Sequence, residues 1–241
     1  MKEEIYTIPV MDGFDSDTEC PFCSMYRKLE NDNIGFVLSP SYMEEDVRGD
    51  TNEKGFCKLH LLQLYERGNA LGLALMMHSH LKHRITQLEL LEKEQAAGPR
   101  KGLFKKETAE SPVSKFRSRL ADSCYICDRI SNSFSHYLST FFMLWRKDQT
   151  FRAKVASSKG YCLDHYLMLL ESTDQYLKGK DAEEFRADLM AREKENLNRV
   201  ADELEWFTLK FDYRYKDKPW KNSQDALPRT ILKVNSQFVE K

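Results

Sequence analysis

Residues 124–145 of the chain are CYICDRISNSFSHYLSTFFMLW, a stretch that joins a ligand motif to a helical pattern. Cys124 and Cys127 form a Cys-x-x-Cys turn. The apolar residues that follow recur every three or four positions, which is the spacing of one face of an α-helix. They are Ile130, Phe134, Tyr137, Leu138, Phe141 and Trp145. The stretch therefore predicts a long amphipathic helix that begins directly after a pair of thiols.

The Cys-x-x-Cys turn is half of a pattern that the chain contains twice. The first repeat has Cys20-Pro21-Phe22-Cys23 and later Gly55-Phe56-Cys57-Lys58-Leu59-His60; the second has Cys124-Tyr125-Ile126-Cys127 and later Gly160-Tyr161-Cys162-Leu163-Asp164-His165. The Cys-x-x-Cys motifs are offset by 104 residues (20 to 124), and the Cys-x-x-His motifs by 105 (57 to 162). The two offsets differ by a single inserted residue, and this near-constant period indicates an internal repeat.

Each repeat offers three thiols and one imidazole, the ligand set of a closed, four-coordinate zinc site. We predict two Cys3His sites, one in each repeat. The first would consist of Cys20, Cys23, Cys57 and His60, and the second of Cys124, Cys127, Cys162 and His165. A closed shell leaves no position for a substrate, so each zinc ion is expected to hold a helical hairpin together. The glycine two residues before each Cys-x-x-His motif indicates a backbone with an unusual φ.

The six cysteines are also open to three interpretations without structural zinc. Reduced, buried cysteines are common core residues. A redox Cys-x-x-Cys pair normally follows a strand of a βαβ unit, and the sequence shows no such unit. An iron–sulfur cluster usually takes four thiolates, and one histidine among its ligands would be atypical. A cluster or an oxidation-sensitive zinc thiolate at the same eight residues would make the chain a redox or electron-transfer protein.

The rest of the sequence is helical in pattern, and no alternating strand pattern appears. The predicted fold is all-α, with two tandem pseudo-repeats of helical hairpins, each stapled by a Cys3His metal site. The predicted domains are a first repeat at 1–97, a basic linker at 98–114, and a second repeat with a long C-terminal helix and tail at 115–241. Asp225 to Arg229 predicts the start of a last short helix.

The composition excludes several classes of protein. Of the 241 residues, 41% are hydrophobic and 31% charged, which allows a buried core and is unlike a disordered chain. The 37 basic and 38 acidic side chains nearly cancel, which argues against binding to nucleic acids or to membranes. A nucleic-acid binder that uses the basic linker and the segment Tyr213–Trp220 is the weaker alternative.

The expected location is the cytoplasm. Met1 to Ile5 lack the features of a secretory signal, and the longest apolar patch, 70–77, is too short to cross a bilayer. The sequence has no P-loop, no dinucleotide fingerprint, no nucleophile elbow and no His-Glu-x-x-His motif, which favours a non-enzymatic role.

The doubled pattern is Cys-x-x-Cys…Gly-[Phe/Tyr]-Cys-x-x-His, and the end of the chain contains Asp212-Tyr213-Arg214-Tyr215, Pro219-Trp220 and Asp225 to Arg229. In these two features the chain resembles a bacterial family of unknown function. The resemblance extends over nearly the whole chain and implies no established activity. Some members carry an automatic label as substrate-binding proteins of ABC transporters, which does not suit a chain without an export signal. We expect a zinc-binding scaffold that presents a surface to a protein partner.

Overall fold

The structure is a computed structural model that describes residues 2–96 and 111–239. Within these ranges every regular element is helical, which confirms the predicted all-α fold. The α-helices in the described residues are α1 Lys2–Asp15, α2 Pro21–Leu38, α3 Glu45–Lys54, α4 Lys58–Glu66, α5 Ala70–Ala96, α6 Pro112–Asp122, α7 Tyr125–Lys147, α8 Gln149–Ser157, α9 Leu163–Tyr176, α10 Gly179–Leu209 and α11 Ala226–Asn235. None of them is both long enough and apolar enough to cross a membrane.

The duplication is visible in the order of the helices. α2 and α7 begin 104 residues apart, at positions 21 and 125, and α4 and α9 begin 105 residues apart, at positions 58 and 163. The series α1–α5 and α6–α10 therefore correspond, and α11 follows the second series. In both series, the Cys-x-x-Cys motif opens the second helix and the Cys-x-x-His motif opens the fourth.

The chain divides into two compact units that cut across the repeats. The central unit contains Leu29–Ser133, and the terminal unit contains Met1–Lys28 together with Phe134–Lys241. The boundaries fall inside α2 and α7. The linker predicted at 98–114 lies mostly outside the described residues, and the domain boundaries predicted from the sequence stay a prediction.

Aromatic rings form the core of the terminal unit. Phe14 of α1 stacks on Phe141 of α7 with ring centroids 5.6 Å apart, and Phe22 meets Phe141 at 5.3 Å. Phe141 and Trp145 of the predicted apolar face are buried, which confirms the helix predicted there. Because Phe22 is the third residue of the first Cys-x-x-Cys motif and is fully buried, the core fixes the turn that carries two thiols.

In the central unit α3 and α4 pack against the long helix α5. The buried side chains include Val47 of α3, Leu64 of α4 and Met76 of α5. Ile126 holds the same position in the second Cys-x-x-Cys motif as Phe22 in the first, and it is also fully buried. One apolar side chain therefore anchors each of the two turns.

The C-terminal segment folds back onto the end of α10. Trp206 Nε1 donates to the carbonyl of Pro219 at 3.0 Å, and Lys210 Nζ donates to the carbonyls of Tyr215 and Lys216 at 2.8 Å each. Side chains of α10 thus hold the backbone of this segment, and Tyr215 and Trp220 pack against Trp206 and Phe207 of that helix. The last helix begins at Ala226, as predicted.

Candidate metal centres

Each ligand motif lies at the start of a helix. Its first cysteine immediately precedes the helix, and its second ligand is the third helical residue. Cys20 Sγ accepts a hydrogen bond from the backbone N–H of Cys23 at 3.4 Å, and equivalent bonds reach Cys124 and Cys162 at 3.5 Å. Helix N-termini carry partial positive charge, so these positions stabilise thiolates.

The structure gathers the eight predicted ligands into two groups, but each group combines motifs from both repeats. The terminal centre consists of Cys20, Cys23, Cys162 and His165, and the central centre of Cys57, His60, Cys124 and Cys127. Within each group, the ligand atoms all lie within 4.8 Å of one another. The predicted pairing joins the two motifs of one repeat and is therefore wrong. It puts Cys57 and His60 with Cys20 and Cys23, and Cys162 and His165 with Cys124 and Cys127.

The helices that follow the Cys-x-x-Cys motifs explain this exchange. α2 has 18 residues and α7 has 23, so at about 1.5 Å per residue they carry the chain about 27 and 35 Å away from the thiols. The next helices, α3 and α8, have only 10 and 9 residues and are too short to return it. The Cys-x-x-His motif of the same repeat therefore does not share a centre with that Cys-x-x-Cys motif.

In the terminal centre the imidazole faces the three sulfur atoms through Nδ1. The distances from His165 Nδ1 to Sγ are 3.5 Å for Cys20, 3.3 Å for Cys23 and 3.0 Å for Cys162. A tetrahedral zinc ion with Zn–S and Zn–N bonds of about 2.3 and 2.0 Å requires S···N separations of about 3.5 Å. All four residues are buried. The group has the donors and the size of a site for a single ion.

The central centre has the same arrangement with more exposure. His60 Nδ1 lies 3.3 Å from the sulfur atoms of Cys57, Cys124 and Cys127. Cys57 and Cys127 are half-buried, with their sulfur atoms 3.9 Å apart. On the other side of the ring, His60 Nε2 lies 3.2 Å from Glu30 Oε1. A carboxylate in this position orients a ligating imidazole and makes it more basic.

The ionisable groups of each centre shift one another's pKa. Burial disfavours the imidazolium form of His60, but hydrogen bonds with Cys124 and Glu30 outweigh burial and raise the pKa to about 10. At His165 the neighbouring thiols likewise outweigh burial, and the pKa is also about 10. Burial opposes ionisation of Cys124, yet hydrogen bonds from His60 and a backbone N–H lower its pKa to about 6. Each centre thus stabilises positive charge among its sulfur atoms, which is what a bound cation would supply.

One family model covers the whole chain, residues 1–241. The chain belongs to DUF6062, a family of unknown function. This finding confirms the resemblance to a family of unknown function. Comparison with curated proteins and with solved structures finds no match.

A buried lysine and a buried glutamate support the loop before α9 in the DUF6062 chain. Lys233 of α11 donates from Nζ to the carbonyls of Tyr161 at 3.0 Å and Lys159 at 2.5 Å. Glu193 of α10 accepts the N–H of Tyr161 at 2.8 Å. A divalent ion held by three thiolates would leave the terminal centre with a formal charge of −1. The side chain of Lys233 is fully buried, and burial lowers its pKa, whereas the negative charges of Glu193, Glu19 and Cys20 oppose that shift.

Four residues that support the ligands lie outside the motifs that the sequence reveals, namely Glu30, Glu193, Lys233 and Ser236. Ser236 Oγ donates to Cys162 Sγ at 3.1 Å. Glu193, Lys233 and Ser236 all follow the last ligand motif along the chain. Glu30 lies on α2, after the first Cys-x-x-Cys motif, whereas the imidazole that it contacts belongs to the next motif. Their spacing from the motifs along the chain carries no signal, so only the folded DUF6062 structure reveals them.

Gly160 allows the loop before α9 to approach the buried side chains of Glu193 and Lys233. Its φ is +76°, and a Cβ there would stand 2.8 Å from Glu193 Oε2 and 3.3 Å from Lys233 Nζ. The equivalent Gly55 has a φ of +66°, so the unusual backbone predicted at both glycines is confirmed.

We expect Gly160→Ala to lower the free energy of unfolding by about 1–3 kcal/mol, because alanine adds backbone strain and a close contact. The measurement is denaturant unfolding of the metal-loaded protein. Gly35→Ala is the matched control, since Gly35 lies inside α2 and no neighbouring atom stands within 4 Å of its missing Cβ. The control should stabilise the protein by about 0.5–1 kcal/mol. Equal effects of the two substitutions would contradict this role of Gly160.

Proposed function

We propose that this protein is a non-enzymatic zinc-binding scaffold with two structural Cys3His sites. The observation that carries the proposal is the convergence, in each centre, of three sulfur atoms and one imidazole nitrogen within 4.8 Å. These are the ligands that structural zinc prefers, and four protein ligands leave no open position for a substrate. Each ion would fasten together the first turns of two helices that are distant in sequence.

The spacing of the sulfur atoms supports a single ion rather than an iron–sulfur cluster. Ligands of a cluster surround several iron atoms, so they stand further apart than ligands that share one ion. The Sγ atoms of Cys23 and Cys162 are 3.4 Å apart, and those of Cys57 and Cys127 are 3.9 Å apart. Tetrahedral zinc requires about 3.8 Å between two sulfur ligands. An iron–sulfur cluster is the alternative that metal analysis tests.

The role that we propose for the zinc ions is to make the fold stable. Structural zinc contributes about 10–16 kcal/mol of apparent binding free energy in small peptides. The net stability of a typical domain is only about 5–15 kcal/mol. A centre of this kind therefore contributes as much as the rest of its unit, and the scaffold depends on its metal.

We further propose that the scaffold works in the cytoplasm and presents a surface to a protein partner. The six cysteines are free thiols, which accords with a compartment where disulfides are rare. Beside the central centre, α4 exposes the large apolar side chains Leu59, Leu62 and Tyr65. Exposed apolar clusters of this kind mark interaction sites. The near balance of positive and negative side chains makes a nucleic acid a poorer partner.

The experiment that tests the zinc proposal is metal analysis of protein purified without oxygen. We expect two zinc ions per chain and no visible absorption. After replacement of zinc by Co²⁺, the absorption bands of tetrahedral cobalt with thiolate ligands should appear at both centres. A folded protein with less than one metal ion per chain would contradict the proposal, and a brown protein that contains iron and sulfide would favour the cluster.

A second candidate function is supported by the exposure of the central centre. Its half-buried thiols Cys57 and Cys127 are close enough to form a disulfide after a small movement. A hydroperoxide would take two electrons from the two thiolates and two protons from water, and it would become an alcohol and one water molecule. Hydrogen peroxide would become two water molecules in the same way. The thiolates would form a disulfide and the zinc ion would leave. The central centre would then be an oxidation-sensitive zinc thiolate.

A further inference from the structure

The long helix α5 has two apolar faces. One face packs inside the central unit through the buried residues Gly72, Leu73 and Met76. The other is exposed, with Leu71 at 68% and Leu81 at 59% of their full accessibility. We call this exposed stripe the α5 seam, and it consists of Leu71, Ala74, His78, Leu81, Ile85 and Leu88.

The α5 seam has the spacing of a helix–helix interface. Its members follow one another at intervals of three, four, three, four and three residues over 18 positions, a length of about 27 Å. Alternating intervals of three and four are the pattern of a coiled-coil seam. A surface helix needs one apolar stripe to cover its own core, and α5 already has one. The second stripe therefore indicates a partner helix.

We propose that the partner is α5 of a second copy of this protein, paired antiparallel. In the antiparallel register Leu71 lies opposite Leu88 of the second copy, Ala74 opposite Ile85, and His78 opposite Leu81. Each small or polar residue then meets a large aliphatic one, as close packing requires. A parallel pair would instead place Ala74 against Ala74, which leaves a gap, and His78 against His78.

The charges beside the α5 seam favour a protein partner over a membrane. Helices that bind anionic membranes carry Lys and Arg along their polar face. Glu89 and Glu92 are exposed on α5 near the C-terminal end of the seam. Lys82 is also exposed and lies closer to the middle of the seam. This mixed border suits a second copy of α5, whose charges are equally mixed.

The expected dimer is weak. A single pair of helices about 27 Å long buries less surface than a standard interface, which buries about 800 Å² per partner. We therefore expect dissociation in the range of about 1–100 µM. This proposal is independent of the identity of the metal, because α5 carries no ligand of either centre.

The test is sedimentation velocity of the full-length, metal-loaded protein from about 1 to 200 µM. The dimer fraction of the unaltered protein should rise with concentration. The double variant L81E/I85E should stay monomeric throughout, because the antiparallel pair would bury four carboxylates. Leu90→Glu is the matched control, since Leu90 is 56% exposed on α5 but lies outside the seam, and this variant should dimerise normally. Circular dichroism and metal content verify that both variants are folded.

A cross-linking experiment tests the antiparallel register of the two α5 helices. A benzophenone-bearing residue in place of Ala74 should cross-link to residues 81–88 of the second copy. A monomer at every concentration, a dimer that persists in L81E/I85E, or loss of the dimer in Leu90→Glu would overturn the proposal. Cross-links to residues 71–78 would overturn the antiparallel arrangement, and a monomer that binds anionic vesicles through the seam would identify a membrane instead.

Discussion

Replacement of Cys162 by serine is expected to expose Cys20 and Cys23 to alkylation, although both thiols belong to the other repeat. The substitution removes one of the four ligands of the terminal centre, so the protein should keep one zinc ion instead of two. Buried thiols react only when their surroundings open. We therefore expect Cys20 and Cys23 to react at least about tenfold faster than in the unaltered protein.

The readout is mass spectrometry of cysteine-containing peptides after brief treatment with N-ethylmaleimide. Cys124 and Cys127 should keep their protection, because their centre is intact in Cys162→Ser. The reciprocal control is Cys57→Ser, which should expose Cys124 and Cys127 and leave Cys20 and Cys23 protected. If Cys162→Ser exposed Cys124 and Cys127 instead, the ligands would be paired within each repeat.

Loss of metal under oxidation is expected to occur in two steps. Hydrogen peroxide at low molar excess should release about one zinc ion per chain, that of the central centre, because Cys57 and Cys127 are half-buried whereas all ligands of the terminal centre are buried. The central unit should lose its cooperative structure at this step, since zinc contributes about 10–16 kcal/mol and a domain has only about 5–15 kcal/mol of net stability. The second ion should leave only when the terminal unit unfolds.

A chromogenic zinc indicator, circular dichroism and peptide mapping follow the two steps together. Peptide mapping should find a Cys57–Cys127 disulfide after the first step. Reduction and added zinc should restore the helical signal. Release of both ions at one rate, or an early disulfide that contains Cys20 or Cys162, would show that exposure does not control the reaction.

The ligands could be predicted from the sequence because a ligand motif is local. Cys20 and Cys23 lie three residues apart at a helix start, so their sulfur atoms are neighbours in any fold that keeps the helix. The same holds for Cys57 and His60. The helical pattern after each motif is local as well, which is why the all-α fold and the long helix α7 are confirmed.

The pairing of the motifs could not be predicted because it is not local. The nearly constant offset between repeats shows which motifs correspond, and it carries no information about which motifs meet. That choice depends on the lengths of α2 and α7 relative to the helices after them. Supporting residues such as Glu30 and Lys233 depend on the same long-range packing, so their roles appear only in the structure.

The crosswise pairing of the motifs has a consequence for the origin of the protein. A polypeptide with a single repeat would contain both halves of a ligand set but could not bring them together on itself. Two such polypeptides would complete both sets by mutual exchange, as entwined dimers do. Joining them in one gene makes this exchange intramolecular and independent of concentration. The present architecture is what the fusion of an obligate ancestral dimer would produce.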